Sequence, residues 1–159
     1  MKKENLHILS TMVYNNGDPI PKAQDFEDWK KYNNKQQGAY CRYINKENQS
    51  EHILYNWFVL NDERGIIPNK MRLADANVWN NIESKLETDE ALHLLLMNGQ
   101  REIFGNFQSK GRTGKYWSDI TSEKSEDRAI FYDIFHDITE VFKADCDKRL
   151  GLSILCVKE

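Results

Sequence analysis

Apolar positions along the chain come in short bursts broken by polar punctuation, so the elements they predict are short. Leu6-His7-Ile8-Leu9 and Met12-Val13-Tyr14 read as brief strands. Asn15-Asn16-Gly17-Asp18-Pro19-Ile20-Pro21 is dense in residues that tolerate positive φ or fix their own, and predicts a turn. Behind Asp25, a capping type, Phe26 and Trp29 fall on one side of 25–32 and predict a short helix. The clearest helix starts at Asp75, where Val78, Trp79, Ile82 and Leu86 form an apolar stripe on a polar segment. Leu94-Leu95-Leu96-Met97 reads as a buried run that meets a hairpin signal, Asn98-Gly99, before Ile103-Phe104. Gly151 to Lys158 reads as a terminal strand. One stretch is ambiguous: Ile130, Ile134, Ile138 and Val141, with Phe131, Phe135 and Phe142, follow a helical spacing in residue types that favour strands. Pattern alone predicts a helix over 129–143.

Composition narrows the function classes. At 159 residues and 40% hydrophobic, with neither an internal repeat nor a linker, the chain has material for one core, a single domain over 4–159. A net charge of -3 lacks the excess of Lys and Arg that nucleic acid requires. No apolar run approaches the ~20 residues of a membrane span. The first ten residues hold two lysines but neither an apolar h-region nor a cleavage site, so we expect synthesis in the cytoplasm without a standard export signal. Charge is uneven: 118–147 carries nine acids against three bases. That is a solvated acidic face or a patch for a cationic partner or calcium. The three cysteines, Cys41, Cys146 and Cys156, cannot all pair within the chain, and none has zinc-ligand spacing. Free buried thiols are the favoured reading over a disulfide.

Several segments, in order, resemble the Fibrobacter succinogenes major paralogous domain, a family of the C-type-lectin-like superfold. They are Glu4-Asn5-Leu6, Tyr14 to Pro21, Trp29, Gly38 to Tyr43, Leu54 to Leu60 and Arg64 to Pro68, followed by Arg72-Leu73 and the Asp75 helix with Trp79. Gly99-Gln100-Arg101, Gly105-Asn106-Phe107, Gly114 to Ser118 and Gly151 to Lys158 complete the set. The chain departs from the family at Asn69-Lys70-Met71, where a Gly-Trp is usual, in the short stretch between the helix and Gly99, and in lacking the leading strand. The resemblance implies an α+β fold of short antiparallel twisted sheets with one or two helices and long loops. It also implies strands rather than a helix over 129–143, since a strand buried on both faces shows consecutive apolar residues.

The candidate chemistry is sparse. Trp57, Trp79 and Trp117 lie in family motifs, which favours core over sugar-stacking platforms. Against a lectin calcium site, Ile67-Pro68-Asn69 lacks the acid and Trp117-Ser118-Asp119 lacks the Asn, so no metal or other cofactor is expected. Asp119, Glu123, Glu126 and Asp127 remain as an interaction surface. The superfold is also similar to that of formylglycine-generating enzymes, which use paired reactive cysteines, but neither Cys41 nor Cys156 lies next to a base that would lower its pKa. His7, His52, His93 and His136 are dispersed, and Asp133 and Asp137 share a face only in a helix. The expectation is a non-enzymatic module that recognises a protein or glycan through loops. The alternative is a structural subunit of a larger assembly, such as a phage virion, fibre or surface appendage. The absent leading strand adds an expectation of a homo-oligomer or docked complex, with the terminal strands at the contact.

Overall fold

The computed structural model describes residues 5–44 and 49–159; Glu4, which opens the first matching motif, lies outside them. β1 (Leu6–Ile8) is followed by α1 (Phe26–Asn34), a hairpin of β2 (Tyr40–Ile44) and β3 (Glu51–Tyr55), and a 3-10 turn over Trp57–Val59. Then come β4 (Met71–Leu73), α2 (Ala76–Leu86), α3 (Glu90–Leu95) and a small hairpin of β5 (Gln100–Arg101) and β6 (Phe107–Gln108). A meander of β7 (Thr113–Thr121), β8 (Arg128–Phe135) and β9 (Val141–Asp147) precedes β10 (Leu155–Lys158). The architecture is α+β, built on small antiparallel sheets.

Each helix starts where a side chain can satisfy the free N–H groups of its first turn. The carboxylates of Asp25, Asp75 and Asp89 accept from the N–H of Asp28, Val78 and Leu92, at 2.8, 3.0 and 2.8 Å. α2 buries Val78, Trp79, Ile82 and Leu86, the stripe that its sequence predicts.

The strands wall off separate cores with alternate residues. In β7 and β8, Trp117 and Phe131 face a core that includes Tyr55, Trp57 and Cys156, whereas Tyr116, Tyr132 and Ile134 face the core under α2. In β10, Cys156 joins the first core while Leu155 and Val157 join the second. Both faces are apolar, so the clean alternation of a half-buried strand disappears. This is why 129–143 mimics a helical pattern. It forms β8, the turn at 136–140 and the start of β9, and the helix that spacing alone predicts is absent.

Other expectations are corrected. Met12-Val13-Tyr14 forms no strand: the turn closes at once through Tyr14 N–H to Asp18 O, and Val13 makes only an isolated bridge to Pro19. Leu94 and Leu95 are not buried but belong to α3, exposed at 62% and 44%; only Leu96 and Met97 turn inward. Asn98-Gly99 closes no hairpin, because the segment before it is helical and the Asn98 amide is drawn into the core. There its Nδ2 donates to Tyr116 Oη and Ser153 Oγ. The hairpin turns instead at 102–106, between β5 and β6. Within 151–158, regular pairing starts only at Leu155. Gly151, Leu152 and Ser153 bridge singly to Arg101, Tyr55 and Tyr116. Gly151 suits that hub because a Cβ there would sit 2.9 Å from the Cβ of Arg101. The C-terminal strand is also no bare edge: β10 lies between β1 and β4, paired on both sides.

Candidate functional site

The tryptophans are core residues. Trp57, Trp79 and Trp117, and Trp29 with them, are all buried. None offers a face for stacking a sugar. Cys41, Cys146 and Cys156 are free and buried, and burial pushes each thiol up to about 12, so the reactive thiolate is suppressed. Asp133 does not meet Asp137. It pairs with Lys115 at 2.6 Å, between β7 and β8, while Asp137 stays exposed beside His136.

Asp119, near the end of β7, and Glu123, Glu126 and Asp127, on the connection from β7 to β8, are all exposed. No cluster of three His, Cys, Asp or Glu side chains with metal-holding geometry exists among the described residues. EDTA or added calcium is expected to leave the melting temperature unchanged; a calcium-dependent rise would reveal a site that the carboxylates assemble on binding.

The structure brings together a groove of which the sequence reading marked only Asp127, which lines its larger cleft. One wall is the face of α1 that carries Phe26, Lys30, Asn33 and Asn34. The other walls are the 102–106 turn, with Ile103 and Phe104, and the segment Asp147 to Arg149. Two adjoining clefts, of about 200 and 230 Å³, share Asn33, Asn34 and Arg149. Phe104 projects from the turn with 77% of its surface exposed, and Phe26 lies opposite at 38%.

The walls are fixed from beneath. Arg101 is 1% exposed. Its guanidinium donates to the carbonyls of Ala23 (2.5 Å), Gln24 (2.8 Å), Asp25 (3.2 Å) and Gly105 (3.1 Å), which ties the entry of α1 to the turn. The rings of Trp29 and Phe107 lie 4.6 and 4.8 Å from the same guanidinium carbon. The turn closes on itself through Glu102 N–H to Asn106 O at 2.7 Å and Gly105 N–H to Glu102 O at 2.9 Å. Gly105 adopts φ +92° against the Phe26 ring, a conformation that L side chains resist. Asn33 ties the α1 wall to the far one: it donates through Nδ2 to Arg149 O at 3.0 Å, and its Oδ1 accepts from Asn56 at 3.0 Å. Lys148 donates to Thr121 Oγ1 at 2.9 Å with its ammonium 4.0 Å from the Trp57 ring centre.

Most charges in the groove are already engaged. Arg149 holds the Asp147 carboxylate through Nε and Nη2, at 2.9 and 2.6 Å. Its Nη1 has no partner among the described residues. Lys30 lies 5.9 Å from the Phe26 ring centre and pairs with no carboxylate among the described residues. Phe104 and Arg149 had no site signal in the sequence; Ile103-Phe104 before Gly105 reads as strand, and only the turn geometry turns it outward.

Away from the groove, His52 on β3 gives a testable pH dependence. Burial, and then Lys110, lower its pKa to about 4. The folded state binds fewer protons than the unfolded one below the ordinary value of 6.5, so this contribution to stability is lost as pH falls from 6.5 towards 4. The melting temperature is expected to fall through that window, and less steeply in His52→Gln; identical slopes would remove His52 as the cause.

Comparisons of the chain with protein-family models, with curated proteins and with solved structures find no match.

Proposed function

We propose that the protein is a non-enzymatic binding module of C-type-lectin-like type, which recognises a protein or glycan through loops displayed on a rigid base. The observation that carries this reading is Phe104: a large apolar side chain held out to solvent on a turn that is braced by Arg101 and closed by its own hydrogen bonds. Exposed aromatics on preorganised loops are typical binding anchors, because little freedom remains to be lost on contact. The suppressed thiols weigh against nucleophilic cysteine chemistry. Pairing of β1 with β10, which brings the two ends of the sequence into one sheet, is in keeping with the C-type-lectin-like reading.

The test is a screen of arrayed glycans and displayed peptides against the wild-type chain and Phe104→Ser. That variant is expected to keep its melting temperature and lose binding. Ligands that ignore the substitution would sink this reading.

A second reading, a structural subunit of a larger assembly such as a phage virion, fibre or surface appendage, draws on Leu94 and Leu95. These adjacent apolar residues are exposed on α3. Self-association by light scattering, abolished in a Leu94→Lys variant, would favour it over the first.

A further inference from the structure

We propose that the pocket between α1 and the 102–106 turn anchors a peptide segment of a partner protein that combines an apolar side chain with a neighbouring carboxylate. This rests on the binding-module reading and gives its partner a chemistry. The apolar part is supplied by Phe26, Ile103 and Phe104, which line the smaller cleft of about 200 Å³. Its charged lining residues are Lys30 and Arg149; no Asp or Glu lines this cleft. Lys30 is exposed and without a carboxylate partner among the described residues, and Arg149 keeps Nη1 free while Nε and Nη2 hold Asp147. Lys30 supplies an uncompensated positive charge beside an aromatic wall, and Arg149, although Asp147 balances its charge, still offers Nη1 as a donor; together they complement an acidic and apolar ligand.

Arg149 also fixes the orientation. Its fork lies in place because Asp147 accepts two of its hydrogen bonds, so a carboxylate reaching Nη1 meets a donor already held still. Lys30 is a mobile point charge on the opposite wall. Anchoring therefore depends on the phenyl rings for contact area and on the two cations for selecting an acidic neighbour.

The test selects a phage-displayed random peptide library on the immobilised wild-type chain and measures the affinity of the enriched synthetic peptides. Enriched sequences are expected to carry Asp or Glu within a few positions of an aromatic or branched aliphatic residue. Phe104→Ser should abolish their binding, and Lys30→Glu should weaken it by about two- to fivefold, the scale of an exposed ion pair, with Lys30→Gln between. Neither site is part of the core, and unchanged melting temperatures would confirm that the variants fold. Peptides that need Phe104 but are indifferent to Lys30→Glu would overturn this inference and leave the binding-module reading standing. So would glycans that bind through Phe104 while no peptide is enriched. Ligands indifferent to Phe104→Ser would overturn both.

Discussion

Arg101→Ala is expected to destabilise the protein by about 4 kcal/mol or more, among the largest effects of any single substitution here. The side chain is buried, and no carboxylate among the described residues balances its charge. What makes the burial tolerable is that carbonyls of four residues and two aromatic rings replace its water. Truncation removes those donors at once. It strands the carbonyls of Ala23 and Gln24, while that of Asp25 keeps only the Trp29 N–H, and leaves a void between Trp29 and Phe107. Arg101→Lys should recover only part of the loss, because one ammonium cannot span acceptors that the planar fork reaches together. Denaturant titration of both variants measures this; a loss below ~1 kcal/mol for Arg101→Ala would mean that water takes over the role.

The second large effect is expected at Trp79. Its ring stacks on Tyr132 with centroids 5.0 Å apart and lies 5.2 Å from Tyr116, so it joins α2 to β7 and β8. Trp79→Ala should cost ~3–5 kcal/mol, the range for emptying a large aromatic from a packed core. Trp79→Phe is the informative control. The indole Nε1 is buried with no hydrogen-bond partner among the described residues, so phenylalanine removes an unpaired donor as well as volume. A cost well below that of alanine is expected. An unchanged melting temperature in Trp79→Ala would take the residue out of the core.

The two longer helices were legible because cap and stripe agree: Asp25 and Asp75 stop the chain in front of Trp29 and of Val78, Trp79 and Ile82. β8 and β9 were not legible from spacing, since a strand that serves two cores loses its alternation. Asn98-Gly99 carries a real local preference, seen in φ +71° at Gly99, but tertiary packing uses it to pass from α3 into the sheets. The groove was the least legible part. Arginine is ordinarily an exposed residue, so nothing local marks Arg101 as buried, and Phe104 points outward only because the turn beneath it is anchored from α1. That anchoring joins residues far apart in sequence.

Pairing of β1 with β10 sets how the chain reaches this structure. Leu6 lies opposite Val157 and Ile8 opposite Leu155, so that sheet cannot form until segments from both ends of the sequence meet. Loop closure on that scale is unfavourable until it is complete, and chains dominated by such distant pairings fold slowly, in ~milliseconds to seconds. The β7–β9 meander pairs only neighbours in sequence, so it is expected to form early, with the end strands closing over it last. Until they do, Leu155 and Val157 stay in water, and partly folded chains can associate through them. Refolding yield should therefore fall as protein concentration rises, even where the native protein is fully soluble.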